Sequence, residues 1–310
     1  MATIFIDGSA GTTGLRIRER LAGRSDLTLI TLAESERKDP EARRAAINRA
    51  DIVFLCLPDD AAREAVAMAD NPDTVIIDTS TAHRTADGWT YGFPELTGQR
   101  EKIARAKRIA NPGCHATGFI SLAAPLREAG LISSDAALTC FSLTGYSGGG
   151  KKMIAEYEAE DRSPLLDAPR QYGLGQKHKH LPEMQALCAL ETAPVFCPIV
   201  APYYAGMEVT VPLFAGQVKA GPEELKAFYR EYYRSGLVRY AEDDEAGFLS
   251  AGALAGRDDL TVSVRGNDER ILLISRFDNL GKGASGAAIQ NMNIALGLPE
   301  DTGLVRDTDE

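Results

Sequence analysis

Several features that mark whole classes of protein are scarce in this chain of 310 residues. It has 34 basic and 44 acidic residues, and it has no dense run of Lys or Arg, which argues against a nucleic-acid or anionic-membrane surface. Apolar runs such as DIVFLCLP are far shorter than the ~20 residues that cross a bilayer. The first segment, MATIFIDGSAG, lacks a signal-peptide pattern. We therefore expect a soluble cytoplasmic protein.

Cysteine is also sparse and irregularly placed. The five cysteines are an odd number without paired spacing, which argues against a disulfide framework. Neither CxxC nor HExxH occurs, so we expect no metal site. Four cysteines lie in apolar or strand-like company, where small buried thiols are usual: Cys56, Cys140, Cys188 and Cys197. Cys114 alone follows a Pro-Gly corner.

The chain changes character near residue 112. Before it, near-continuous apolar strands such as ATIFID and DIVFLCLP alternate with amphipathic helical segments, which predicts a parallel sheet covered on both faces. After it, runs such as AALTCFSLTGY and GMEVTVPLF predict an antiparallel or mixed sheet with helices between the strands. We predict one domain over 1–112, completed by a C-terminal helix over 282–310, and a second over 113–281. Pro125 is expected to kink the helix that begins at Cys114.

The segment IDGSAGTTG places Gly8, Gly11 and Gly14 between the first strand and the first helix. Glycines at such a turn let a pyrophosphate approach the backbone, and the helix N-terminus supplies free N–H groups. The strand–turn–helix context predicts a dinucleotide site. A tight turn that needs glycine for its backbone alone is the alternative.

The end of the second strand bears on which dinucleotide binds. A lone acidic residue at this place would favour a free ribose 2′-hydroxyl. In LAESERKDP, however, Glu34 is followed by Ser35, Arg37 and Lys38. A hydroxyl and two cations can hold a ribose 2′-phosphate. This pattern favours NADP(H) as the cofactor, although a solvated charge run has the same composition.

Cys114 stands where a thiol can be activated. If a helix begins there, the helix dipole and free N–H groups stabilise a thiolate. Far along the chain, QKHKHLPEM supplies His178 and His180, which can pair with a thiol as acid or base, and Glu183, which can orient one ring. The alternatives are a buried structural cysteine and a surface histidine loop.

Two other histidines receive no role in this interpretation. His115 directly follows the thiol in the predicted helix, and we expect it to point away because successive helical positions do not share a face. His83 lies in a predicted loop and stays unassigned.

Three further loops are candidate ligand sites. GYSGGGKKM offers Ser147, Gly148 and Lys151, and DTSTAHRTADGW offers Ser80 and Arg84; each can bind a substrate carboxylate or phosphate. An ordinary turn and a surface loop are the alternatives. The third loop, FDNLGKGASGAA, is a candidate nicotinamide contact that needs no ligand to explain its glycines; its two candidate residues are Asn279 and Gly281.

In order along the chain, GSAGTTG, YGFPEL, NPGCHATG, GYSGGGKKM, HKHLPEM and DNLGKGASGAA resemble the shorter form of N-acetyl-γ-glutamyl-phosphate reductase. The resemblance implies an α/β chain with an N-terminal NADP-binding Rossmann domain. It also implies a second, α+β catalytic domain like that of glyceraldehyde-3-phosphate dehydrogenase. A homodimer or homotetramer that acts in arginine biosynthesis is implied as well.

The resemblance also assigns roles to residues. Cys114 matches the nucleophile, and His180 matches the acid/base position, with His178 and Glu183 in the same motif. The implied reaction is attack of the Cys114 thiolate on an acyl phosphate, reduction of the thioester by NADPH, and release of a semialdehyde. The dinucleotide loop is matched by Gly8, Ser9, Gly11, Thr12, Thr13 and Gly14.

Other functions remain open from the residues alone. Aspartate-semialdehyde dehydrogenase would share the thiol, the histidine and the cofactor. A non-catalytic dinucleotide-binding redox sensor would use Cys114 as a sensing thiol, but it would not need the His-Lys-His loop. A cysteine hydrolase would leave the glycine loop unexplained.

Overall fold

The computed structural model describes residues 1–242 and 245–306. The chain divides into two compact units, Met1–Pro112 with Ala284–Leu304, and Gly113–Gly283 with Val305–Glu310. The sequence prediction placed the second change of unit two residues earlier, at 281/282. It also assigned the whole C-terminal segment to the first domain, but Val305 and Arg306 belong to the second unit. Residues 307–310 of that predicted segment lie outside the described part.

The first unit alternates strands and helices: β1 (Ala2–Asp7), α1 (Thr12–Leu21), β2 (Leu27–Ile30), α2 (Pro40–Arg49), β3 (Ile52–Leu55), α3 (Asp59–Ala67), β4 (Val75–Asp78), β5 (Thr90–Tyr91), α4 (Gln99–Arg105) and β6 (Arg108–Ala110). Among the described residues, its six strands form one parallel sheet in the order β2-β1-β3-β4-β6-β5. The chain leaves β1 toward β2 on one side and β3 on the other. This reversal of strand order marks the place where doubly wound sheets bind ligands, beyond the carboxyl ends of the strands.

Both faces of this sheet are buried, as the apolar strands predict. Ile4 and Phe54 face one side and pack with α1, whereas Phe5 and Val53 face the other and pack with α2. Successive strand residues point to opposite faces, so a strand covered on both sides must be apolar throughout. The structure therefore confirms the parallel, doubly covered sheet that the sequence pattern predicts.

The second unit begins with a helix and contains a mixed sheet: α5 (Cys114–Glu128), β7 (Thr139–Gly145), α6 (Gly150–Glu158), β8 (Arg170–Gln171), α7 (Leu181–Leu187), β9 (Val195–Ala201), β10 (Met207–Phe214), α8 (Pro222–Tyr232), β11 (Val238–Tyr240), β12 (Leu260–Gly266) and β13 (Arg270–Phe277). The described strands are ordered β11-β12-β13-β10-β7-β9-β8. β7 pairs with β9, and β11 with β12, in parallel; the other neighbours are antiparallel. This agrees with the predicted α+β character.

Helix α5 continues through Pro125 to Glu128. Proline has no N–H, so the Ser121 carbonyl loses its helical donor. The Tyr233 hydroxyl donates to this carbonyl at 2.7 Å, and the Tyr229 hydroxyl donates to the next one, Leu122, at 2.5 Å. The hydroxyls of these two tyrosines satisfy the carbonyls beside the proline. Helix α5 can therefore run from Cys114 through Pro125 to Glu128.

The last helix is shorter than predicted. A π-helical turn (Gly281–Ser285) leads into α9 (Gly286–Ala295), whereas the sequence predicted a helix over 282–310. Gly297, at φ +70°, and Pro299 follow the helix and stop it. Ala288, Ile289 and Met292 of α9 join the core of the first unit. No described helix is long and apolar enough to cross a membrane.

Candidate active site

Cys114 is the first residue of α5, and Gly113 is its N-cap in an extended conformation. The thiol is partly exposed. Backbone N–H groups of the first helical turn lack helical acceptors, and together with the helix dipole they favour a thiolate at this position. A β-carbon on Gly283 would lie 2.9 Å from the Cys114 β-carbon, so glycine at 283 makes room for the cysteine.

The two histidines of the HKH motif lie side by side at the start of α7. His180 is the N-cap of this helix and is 5% exposed. The His178 and His180 ring centroids are 4.7 Å apart, at 86° to each other. The backbone N–H of His180 donates to the ring Nδ1 of His178 at 3.2 Å. This bond favours the neutral His178 tautomer that carries its proton on Nε2.

Glu183 connects α7 to the start of α5. Its carboxylate Oε2 accepts the Gly113 N–H at 3.2 Å, and the residue is 1% exposed. This bond holds Gly113, the residue before Cys114, next to α7. The predicted role of Glu183, orienting a histidine ring, stays a prediction.

The expectation that His115 points away from the site was wrong. Its ring centroid lies 5.5 Å from those of both His178 and His180. His115 Nδ1 is 2.7 Å from the Ser142 hydroxyl, and Nε2 is 2.6 Å from the Tyr172 hydroxyl. The first turn of α5 packs against β7 and against Tyr172, the residue after β8. His115, the second residue of α5, therefore faces the histidines of the HKH motif as well.

Gly8, the first glycine of the predicted dinucleotide loop, lines a cavity of about 530 Å³ in the first unit. Gly8 has φ +86°, and a β-carbon there would lie 2.2 Å from the Cys56 carbonyl oxygen. A β-carbon on Gly14 would lie 2.5 Å from the Gly8 carbonyl oxygen. Gly11 is the N-cap of α1 and donates its N–H to the Gly8 carbonyl. Thr12 and Thr13 begin α1 directly after this loop, and their contact with the phosphates of a dinucleotide stays a prediction.

The residues predicted to hold the ribose 2′-phosphate of NADP(H) line the same cavity. Ser35, Arg37 and Lys38 are among its wall residues, and so is Arg18 of α1, which the sequence analysis missed. Ser9 also contributes to the wall. Arg18 sits one helical turn after Gly14, a spacing that would have shown it facing the glycine loop.

The Ser80 and Arg84 side chains are held by protein groups. The Ser80 hydroxyl donates to Asp78 Oδ2 at 2.7 Å, and Arg84 donates to the Asn111 and Thr79 carbonyls. His83, which had no predicted role, places Nδ1 2.6 Å from Asp78 Oδ2. Their substrate contacts remain predictions, because these bonds position the loop whether or not a ligand binds.

Two candidate residues from different predicted sites bond to each other. The Asn279 amide donates to the Ser147 hydroxyl at 3.0 Å and accepts the Gly206 N–H at 2.9 Å. Ser147 is 1% exposed, whereas Gly148, which follows it, and Lys151, in the first turn of α6, are exposed.

Gly281 has a steric reason to be glycine. A β-carbon there would lie 1.9 Å from the Arg257 carbonyl oxygen. Its N–H donates to Asp278 Oδ1 at 3.1 Å. The glycine therefore allows a tight turn within the second unit, and its predicted contact with the cofactor remains a prediction.

Comparison with known families matches both units. The semialdehyde dehydrogenase NAD binding domain family matches residues 3–106, and the semialdehyde dehydrogenase dimerisation domain family matches residues 114–279. N-acetyl-gamma-glutamyl-phosphate reductase 2 of Pseudomonas putida is 47% identical over 95% of this chain and 96% of its own. The reductase of Brucella suis is 46% identical over 95% and 98%.

Solved structures match at lower identity. Aspartate semialdehyde dehydrogenase II of Vibrio cholerae has a TM-score of 0.74 at 17% identity, over 96% of this chain and 99% of that one. The aspartate semialdehyde dehydrogenase of Candida albicans, solved with NADP, has a TM-score of 0.68 at 16% identity, over 96% and 99%. At this identity the likeness concerns the fold alone.

Proposed function

Because the chain belongs to the N-acetyl-γ-glutamyl-phosphate reductase family of semialdehyde dehydrogenases, we propose that it reduces N-acetyl-γ-glutamyl phosphate to N-acetylglutamate 5-semialdehyde and phosphate. The observation that carries the proposal is a partly exposed thiol at a helix N-terminus, in the same unit as the buried His180 and the half-buried His178, whose rings are in contact. The reaction belongs to arginine biosynthesis, and the cytoplasmic location stays a prediction from composition.

The protein groups divide the chemistry among them. The Cys114 thiolate attacks the carbonyl carbon of the acyl phosphate, the carbon–oxygen bond to phosphate breaks, and a thioester remains on the sulfur. A bound nicotinamide dinucleotide supplies the hydride that reduces this thioester. His180 exchanges a proton with the oxygen of the resulting thiohemiacetal, whose collapse releases the semialdehyde and restores the thiolate.

The cofactor proposal is NADP(H), and charge in the cavity wall supports it. Arg43 donates twice to the Asp7 carboxylate, at 3.0 and 2.8 Å, so its charge is neutralised. Arg18, Arg37 and Lys38 line the same cavity. Across residues 1–242 and 245–306 no carboxylate forms an ion pair with these three cations. A 2′-phosphate would neutralise them.

We also propose that the second unit forms a homodimer, with a tetramer as a further assembly. The family that matches it is named a dimerisation domain. One face of its sheet presents apolar side chains: Phe141 is 40% exposed and Leu272 is 38% exposed. In the register, Thr210 lies between Phe141 and Ile274, so Phe141 points to the same face of the sheet as Leu272, which is two residues before Ile274. A second copy would cover it.

The test is phosphate-dependent reduction of NADP⁺ with N-acetylglutamate 5-semialdehyde, beside aspartate semialdehyde, in wild type and Cys114→Ala. We expect turnover of the acetylated substrate and none in the variant. Cys188→Ala, which removes a buried thiol from the same unit, is the matched control and should retain activity. Turnover of aspartate semialdehyde alone would transfer the assignment to that dehydrogenase, and activity in Cys114→Ala would refute the nucleophile.

A further inference from the structure

His115 occupies the centre of the histidine cluster. It is 3% exposed, and its ring meets those of His178, His180 and Phe196 with centroids 5.2–5.5 Å apart. Ring contacts on several sides and a hydrogen bond at each nitrogen leave this imidazole one orientation. His115 is therefore held by hydrogen bonds as well as by packing, whereas an apolar ring at this position would be held by packing alone.

The hydrogen-bond partners determine the direction of the chain of bonds. Within the described residues, the buried Ser142 hydroxyl has His115 Nδ1 as its one partner, at 2.7 Å. An unsatisfied buried donor is costly, so the serine donates and Nδ1 accepts. The proton of the neutral ring is then on Nε2, which donates to the Tyr172 oxygen at 2.6 Å.

Electrostatics agree with a neutral ring. Burial, followed by the charge of His178, lowers the pKa of His115 to about 3. Burial, followed by the charge of Cys114, raises the pKa of Tyr172. The groups that titrate around His115 are Cys114, His178, His180 and Tyr172, and Phe196 on β9 is apolar. His115 can therefore separate these groups without adding a charge of its own.

We propose that His115 is a positioning residue: Ser142 and Tyr172 hold its two nitrogens, and its ring fixes the HKH histidines relative to the first turn of α5. The inference rests on the proposed function, because it assigns these histidines to the chemistry of the thiol. Through α5 it also fixes the direction in which Cys114 leaves the helix. The Tyr172 and His178 ring centroids are 5.9 Å apart, so the Tyr172 end of the bonded chain also contacts the cluster.

The experiment compares His115→Phe, which keeps a ring without nitrogens, with Tyr172→Phe and Ser142→Ala, which each remove one partner. Two quantities are measured: kcat and KM, and the pH dependence of Cys114 alkylation by iodoacetamide, followed on the peptide that contains Cys114. We expect His115→Phe to lower kcat by about tenfold to a hundredfold, with KM little changed, and to raise the alkylation midpoint. The single-partner variants should fall between it and wild type.

The controls separate positioning from stability and from the substrate assignment. Tyr240→Phe removes a hydroxyl at the opposite edge of the same sheet and should match wild type. His115→Gln keeps a donor on the Nε2 side and should recover part of kcat. Variants that change only the melting temperature, with kcat and alkylation midpoint as in wild type, would overturn the inference. Altered midpoints in a protein that does not turn over the acetylated substrate would support the positioning and refute the proposed function.

Discussion

Alanine at Gly8 or Gly14 tests whether the first loop binds the dinucleotide through a close backbone. At Gly8 the new β-carbon would lie 2.2 Å from the Cys56 carbonyl oxygen, at a φ of +86°. At Gly14 it would lie 2.5 Å from the Gly8 carbonyl oxygen, without the unusual φ. Both contacts are with backbone atoms, so the loop itself must move in either variant.

Two other glycines separate the contributions. Gly88 has φ +79° with no heavy atom near its β-carbon position, and Gly23 has neither the unusual φ nor a near atom. We expect Gly88→Ala to cost about 1–2 kcal/mol of unfolding free energy from φ alone. Gly23→Ala should change it by less than about 1 kcal/mol. Overpacking adds about 1–3 kcal/mol, which Gly14→Ala shows alone and Gly8→Ala shows together with the φ cost.

The assay follows urea unfolding by the fluorescence of Trp89, the one tryptophan of the sequence, which lies in the first unit. NADP⁺ affinity is measured by calorimetry on each folded variant. Gly8→Ala and Gly14→Ala should lose at least about tenfold in affinity, about 1.4 kcal/mol, whereas Gly88→Ala and Gly23→Ala should bind as wild type does. Equal affinity in all four variants would refute the argument that the glycine loop approaches the cofactor.

Three further predictions concern the cofactor, the assembly and pH. Arg37→Ala with Lys38→Ala should raise KM for NADPH by about tenfold or more and leave KM for NADH nearly unchanged; equal effects on both would contradict a 2′-phosphate site. Phe141→Arg should convert a dimer to monomers in light scattering, and an unchanged mass would place the interface elsewhere. Burial lowers the pKa of the His115 imidazole to about 3 in the folded protein. Between pH 6.5 and 3, the unfolded chain therefore binds a proton at His115 more readily than the folded protein does. Wild type should therefore lose up to about 1.4 kcal/mol of stability per pH unit on acidification; His115→Phe should lose less, and parallel curves by circular dichroism would contradict it.

The strands of the first unit and the glycine turn after β1 could be predicted because their signals are local. ATIFID and DIVFLCLP are apolar at every position, as a doubly covered strand requires, and glycines mark the turn after β1. Cys114 at the start of α5 followed from the Pro-Gly corner before it. These features depend on a few neighbouring residues.

Side-chain partners distant in sequence could not be predicted. Ser147 and Asn279 are 132 positions apart and form a hydrogen bond with each other. The sequence of either loop alone does not show that its polar side chain is paired with the other loop. His115 was misplaced because helical spacing describes the helix and not the strand and loop that surround its first turn. The extent of α9 was missed because the helix predicted over 282–310 included Gly297 and Pro299, which end it.

The central claim is that Cys114 carries the substrate as a thioester. Incubating the protein with N-acetyl-γ-glutamyl phosphate in the absence of NADPH, followed by acid quench and peptide mass spectrometry, tests it directly. The account predicts a mass increase of one N-acetylglutamyl group on the peptide that contains Cys114, lost on later addition of NADPH. An unmodified Cys114, or acylation of another residue under the same conditions, would contradict it.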